Sequence, residues 1–289
     1  MTHDFENITY KVEENIAFLI FDRPEKLNAF SEGMIVGLER ALDAADADDD
    51  VHAVIVTGAG HVFSAGADLS GGGSAFDGRD RPRSVNAIPQ DPVAAARRII
   101  RSYYSLKPVI AAVNGPAMGM AATLTLPMDI RIASTTARFG FVFTRRGLVP
   151  EAGSTWFLPR LVGISTAVEW CATGRTVSAE EAHARGLVRA LHEPDDLMPA
   201  AIALAREIAD NTAPVSVALA RRMMWRMLSA DPWEALEIER LAMHSRGSSA
   251  DVREGVAAFL ERRRPEFLQR VSSDMPEFFA GWNEPRPVA

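Results

Sequence analysis

Three short stretches of the 289-residue chain carry residue types that could polarise a carbonyl and move a proton. The first is Ser64-Ala65-Gly66-Ala67-Asp68, and the second is Ala112-Val113-Asn114-Gly115-Pro116-Ala117-Met118-Gly119-Met120. Each is an apolar, strand-like run ending in small residues, where a backbone can approach a ligand closely. The third, Gly147-Leu148-Val149-Pro150-Glu151, puts a carboxylate at the head of an amphipathic segment. Two backbone N–H groups aimed at one carbonyl oxygen would make an oxyanion hole, and a nearby acid could shuttle a proton. A pair of ordinary turns and a helix-capping glutamate is the plainer reading of the same residues.

The elements that must position these stretches alternate. Ile8 to Val12 and Ile16 to Phe21 read as strands joined by Glu13-Glu14-Asn15. Ser31 caps a helix with Met34, Leu38 and Leu42 on one face, and Val51 to Thr57 is a valine-dense run suited to a strand covered on both sides. From Ser70 to Gln90 the sequence loses its periodicity, as a loop or lid over a site would. Asp91-Pro92 starts a helix over Val93 to Leu106; Pro108 to Val113 is a strand, Met120 to Leu126 a short helix, and Asp129 to Ala133 and Phe139 to Phe143 are strands again. Ser178 with Glu181 reads as a capping box closed by Gly186. After Pro194 the pattern is helical. A strand, small-residue turn and helix recur at Ala53, Val109 and Met128. Strands that alternate with helices in this way predict an α/β core with parallel strands over residues 1–208 and a helical region over 209–289.

Composition narrows the function classes. Thirty-one basic against 38 acidic residues give a net charge of -7, so the chain as a whole is not built for nucleic acid. Arg79, Arg81 and Arg83, and Arg262 to Arg264, are local exceptions: solvated faces or partners for a phosphate-bearing ligand. The single cysteine, Cys171, excludes an internal disulfide and reads as core. The N-terminal region carries no apolar signal segment, no window has the length of a membrane span, and the scattered histidines lack metal-ligand spacing. A cytoplasmic protein with no metal is expected.

Phe63-Ser64-Ala65-Gly66-Ala67-Asp68-Leu69, Ala111 to Gly119 and Met128-Asp129-Ile130 together resemble the enoyl-CoA hydratase/isomerase (crotonase) family. The likeness continues through Asp22-Arg23-Pro24, Leu27-Asn28-Ala29, Phe157 to Gly163, Glu180-Glu181-Ala182, Gly186-Leu187-Val188 and Glu254 to Leu260, so it spans nearly the whole chain. The resemblance implies a spiral of stacked ββα units with a helical C-terminal region, assembled as a homotrimer or dimer of trimers. It implies an acyl-CoA thioester substrate with no further cofactor, and a thioester oxygen held by the backbone N–H groups of Ala67 and Met120. Lys26, Leu27, Ala65, Asp68 and Leu69 would meet CoA, with the basic residues near Arg263 a looser match to the charges that meet its phosphates.

The departures are as informative. The two glutamates of the family's hydratases fall on Thr123 and Phe143, which cannot serve as acid or base. Glu151 stands where some members that lack those glutamates place a working acid. Beside an acyl pocket lined by Thr123, Phe141, Phe143 and Trp156, its carboxyl should rise in pKa by desolvation. An ion pair with Arg145 or Arg146 would do the reverse. Double-bond shift or hydration with Glu151 as acid/base is the leading expectation. Thioester hydrolysis, dehalogenation and a non-catalytic acyl-CoA-binding scaffold are the alternatives. Trp225, Met227, Trp233 and Leu236 are expected to pack against neighbouring subunits.

Overall fold

Two apolar runs at the start of the chain, β1 (Ile8–Glu13) and β2 (Ile16–Phe21), pair antiparallel, with left-handed Glu14 and Asn15 making the turn. They begin a six-stranded sheet in a computed structural model that describes residues 5–76 and 97–280. From β2 onward the sheet is parallel: β3 (Ala53–Gly58), β4 (Val109–Val113), β6 (Ile130–Ser134) and β9 (Ala190–His192) follow in that order. The recurring units at Ala53, Val109 and Met128 thus supply three adjacent strands. A second sheet joins β5 (Ala117–Met118), β7 (Arg138–Gly140) and β8 (Thr176–Ser178).

Every residue of β3 and β4 is buried, as expected for strands covered on both faces. The two-residue period sorts them. Val54, Val56, Val109, Ala111 and Val113 pack with Met34, Leu38 and Leu42 of α1 (Glu32–Ala47). Ala53, Ile55, Ile110 and Ala112 pack with Leu197, Ala201 and Ala205 of a long helix, Leu197–Asn211. Between these helices run α2 (Met120–Thr125), α3 (Ser154–Val162), α4 (Ile164–Thr173) and α5 (Ala179–Ala184), which makes Leu197–Asn211 α6. Ser31 caps α1 by accepting from the Met34 N–H at 3.1 Å.

Three helices follow: α7 (Pro214–Met227), α8 (Pro232–Gly247) and α9 (Ala250–Glu261). Asp129, just before β6, anchors α7. Its carboxylate accepts from Arg221 Nε, Trp225 Nε1 and the Val109 N–H, each at 2.7 Å. Arg221 in turn donates to the carbonyls of Ser102, Tyr103 and Ser105.

Several expectations need correction. The ring of Trp225 packs against Tyr103 and Phe157 of its own chain rather than facing out. The capping box on α5 is half made: Ser178 Oγ accepts the Glu181 N–H, but the Glu181 carboxylate is drawn to Arg175 and to Trp170 Nε1. The strand expected over Phe139 to Phe143 stops at Gly140, because the chain turns at Phe143 into a 3-10 turn, Thr144–Arg146. The helix expected over Val93 to Leu106 is described only from residue 97, where a last helical turn gives way to a 3-10 turn at Arg101–Tyr104. Arg79, Arg81, Arg83 and most of the loop from Ser70 to Gln90 lie outside the described residues.

Candidate active site

The two small-residue loops lie side by side. Ser64 donates its N–H to the Pro116 carbonyl at 3.0 Å, and its own carbonyl accepts the Met118 N–H at 3.1 Å. The Phe30 N–H donates to the Gly66 carbonyl at 2.7 Å, and the Asp68 N–H to the Phe30 carbonyl at 3.0 Å. This bracketing leaves the Ala67 N–H between them without an acceptor among the described residues. The Met120 N–H, at the first residue of α2, is likewise uncommitted there. Gly66 makes the approach possible. Its φ of +92° is the left-handed region, and a Cβ on it would lie 2.3 Å from the Met118 carbonyl oxygen and 3.6 Å from the Met120 nitrogen. Only a residue without a Cβ lets the loops come this close.

Two buried or half-buried amides stitch these loops to their supports. Asn28 donates to the carbonyls of Ala59 and Val62, and Asn114 to those of Gly58 and Gly60. Both lie in the quoted motifs, yet their long-range partners carry no local signal.

Glu151 follows the 3-10 turn Thr144–Arg146, which left-handed Gly147 closes. Its side chain does not cap α3, whose N-terminal residue Gly153 has no side-chain cap. Instead, Oε1 accepts a hydrogen bond from Thr123 Oγ1 at 2.6 Å. The carboxylate therefore reaches the residue expected from the motifs to stand at the first hydratase glutamate position. Burial pushes its pKa above the ordinary value of 4.5, and the Thr123 hydroxyl pulls it partly back. The expected arginine partners are engaged elsewhere: Arg145 Nε donates to the Thr173 carbonyl and Arg146 Nη1 to that of Val142. No ion pair opposes the upward shift among the described residues.

A cavity of about 330 Å³ joins these parts. Gly66, Ala67, Gly119 and Met120 form its backbone-rich side, Glu151 is its only carboxylate among the described residues, and Leu69, Phe76, Val142, Phe143, Leu148 and Val149 make the rest apolar. Ala65 and Arg146 complete the lining. The sequence did not single out Phe76, Val142, Leu148 or Val149 as lining residues. Larger surface concavities lie away from these groups, between α1 and Arg270 and along α7. They bring no comparable set of donor and acid together.

Of the expected pocket residues, Phe143 lines the cavity and Thr123 touches its acid. Phe141 and Trp156 do not line it, which corrects the expectation. Phe141 is fully buried and stacks on Trp170, while Val142 and Phe143, which follow it beyond the end of the strand, line the cavity. Trp156 packs edge-on against Phe157 and Tyr103, with the Arg160 guanidinium 4.0 Å over its ring.

Among the expected CoA contacts, Ala65 and Leu69 border the cavity, and the Ala65 N–H donates to the Leu27 carbonyl at 2.9 Å. Lys26 and Leu27 are exposed. The Asp68 carboxyl is held down to about 2 by the Ser70 backbone N–H and by Arg23, so its side chain works inside the protein. Arg263 is similarly engaged, forked onto Glu254 and paired with Glu261.

The enoyl-CoA hydratase/isomerase family matches residues 11–270. An Alternaria alternata enoyl-CoA hydratase, ACTT3, is 37% identical over 91% of this chain and 86% of its own. The 1,2-epoxyphenylacetyl-CoA isomerase of Escherichia coli is 35% identical over 91% of this chain and 98% of its own. The crystal structure of a probable enoyl-CoA hydratase/isomerase from Mycobacterium abscessus superposes with a TM-score of 0.81 at 32% identity, covering 91% of this chain and 99% of the other. An enoyl-CoA hydratase from Bacillus anthracis gives the same score and identity. The α/β spiral with its helical C-terminal region is thus the crotonase fold, and the chain belongs to the enoyl-CoA hydratase/isomerase family.

Proposed function

We propose that the chain shifts a double bond in an enoyl-CoA thioester, with the Ala67 and Met120 N–H groups holding the thioester oxygen and Glu151 moving the proton. The observation that carries this reading is that Glu151 is, among the described residues, the single carboxylate on an apolar cavity bordered by two backbone donors without acceptors there. Hydrogen bonding to the thioester oxygen draws negative charge onto it and acidifies the adjacent carbon. The Glu151 carboxylate takes a proton from one carbon of the acyl chain, leaving a dienolate whose negative charge rests on that oxygen. The same carboxyl, now protonated, returns the proton two carbons away while the oxyanion collapses to the carbonyl. Nothing is gained or lost, and no cofactor is needed beyond the CoA that the substrate carries. Hydration needs a water activated on one side and a proton delivered on the other. A lone carboxylate favours the shift over that two-group task.

The fatty or other enoyl thioester would lie with its acyl chain against Leu148, Val149 and Phe143, and its CoA along the rim of Lys26, Leu27, Ala65, Asp68 and Leu69. The helical region from residue 209 would form the subunit interface of a trimer or dimer of trimers. Its exposed Trp233, Leu236, Met243 and Phe259 are the apolar groups available for it; light scattering of the purified protein checks the assembly. A panel of 2-enoyl and 3-enoyl thioesters followed by mass spectrometry tests the reaction. Interconversion without mass change supports the shift, a gain of one water supports hydration, and no turnover with retained CoA binding supports a scaffold.

A further inference from the structure

The Thr123 hydroxyl has one proton and two acceptors in reach. Its Oγ1 lies 2.6 Å from Glu151 Oε1 and 3.1 Å from the Met120 carbonyl oxygen. A bond from a helical threonine to the carbonyl three residues back is ordinary; the contact to a carboxylate 28 residues onward is not. One proton cannot serve both acceptors at once. An ionised Glu151 is the stronger acceptor and takes it. A protonated Glu151 becomes a donor instead; its O–H then points at Thr123 Oγ1, and the hydroxyl proton turns to the Met120 carbonyl.

We propose that Thr123 is a positioning residue whose hydroxyl rotates with the proton on Glu151, holding the carboxyl in place both before and after it takes the substrate's proton. The inference rests on the reading of Glu151 as the acid/base. In the ionised state Thr123 donates to Glu151; in the protonated state Glu151 donates to Thr123, which donates to Met120. The carboxyl keeps one hydrogen bond and one location throughout, so the proton can be returned from where it was received. Thr123 suits the task because it cannot leave. It is fully buried, and its own N–H is fixed to the Gly119 carbonyl at 3.1 Å.

Among the described residues no charged group is bonded to the same carboxyl. The six residues of α2 carry none. On the turn before Glu151, Arg145 and Arg146 donate to the Thr173 and Val142 carbonyls. Arg160 of α3 covers the Trp156 ring, and Asp68 across the cavity is paired with Arg23. The Thr123 hydroxyl is also the one group that pulls the Glu151 carboxyl downward against burial.

The test compares pH profiles of the wild type, Thr123→Val, Thr123→Ser and Glu151→Gln on the enoyl thioester the wild type turns over best. Valine keeps the shape and removes the hydroxyl, and thermal unfolding checks that each variant is folded. Thr123→Ala is read in the same way if the valine variant does not fold. Removing the donor should lower kcat at neutral pH about tenfold or more, the loss of one hydrogen bond to a charged group, with KM little changed. It should also move the acidic limb of kcat/KM to higher pH, because the anion has lost its only donor. Thr123→Ser should restore both. An inactive Glu151→Gln beside a hydroxyl-free variant with a wild-type profile overturns the role of Thr123 and leaves Glu151 standing. So does a lowered kcat with no movement of the limb. Wild-type turnover by Glu151→Gln overturns the assignment of Glu151 and the inference with it.

Discussion

Glu151 and Asp129 are both carboxylates drawn into the body of the protein, and they are provided for in opposite ways. Asp129 accepts from a guanidinium, an indole and a backbone amide, and the arginine that holds it is almost wholly buried. Among the described residues Glu151 has one neutral donor and no bonded cation. A carboxylate saturated with donors serves to tie α7 to the sheet. One left short of donors has its anion disfavoured, which raises its pKa and suits it to trading a proton. The difference separates a carboxylate that builds from the one proposed to work, within a single fold.

Breaking the comparison at Glu151 should give the largest effect. Glu151→Gln is expected to lower kcat by about 10²–10⁴-fold while leaving acyl-CoA binding intact, checked by steady-state kinetics and calorimetry with a CoA thioester. Gly66→Ala comes next. The new methyl would collide with the Met118 carbonyl and push the loops apart, so a loss of about 10²-fold or more in kcat is expected with Glu151 still present. At Asp129 the outcome should invert. Asp129→Ala leaves the buried Arg221 unpaired and should cost about 3–5 kcal/mol in urea unfolding.

A subtler contrast concerns pH. Glu151 has a folded-state pKa above 4.5, so at neutral pH the native state carries the cost of a buried anion. Glu151→Gln should therefore unfold at a higher temperature than the wild type at pH 7, by a few degrees. The gap should close as pH falls through the folded pKa toward 4.5, where the wild-type acid is neutral too. A gap that widens on acidification would reverse the assignment of the shift. Smallest of all should be Arg263→Ala, whose partners are Glu254 and Glu261; no change in KM for acyl-CoA is expected.

Much of this contrast was legible in sequence because it rests on local signals. The valine-rich β3 and β4, the Ser31 cap and the small-residue loops each declare themselves within a few residues. That Glu151 and Phe143 would border one cavity could likewise be read along the motifs. What escaped was pairing at a distance. That Thr123 would hold Glu151, that Glu181 would abandon its cap for Arg175, and that Trp225 would turn inward to Asp129 are choices made by packing. Phe141 and Trp156 were misplaced for a related reason: an aromatic near a cavity in sequence can face either way, and a turn at Phe143 decided it.

The donors proposed to hold the thioester oxygen, at Ala67 and Met120, are main-chain groups, held by neighbouring main-chain bonds and by a glycine. Substitution of the side chains at those two positions need not touch them, so the electrophilic half of the site is shielded from most point mutations. The proton-handling half is a side chain and can be lost at one place and regained at another. A lineage built this way can change its reaction by relocating one acid while inheriting the rest unchanged.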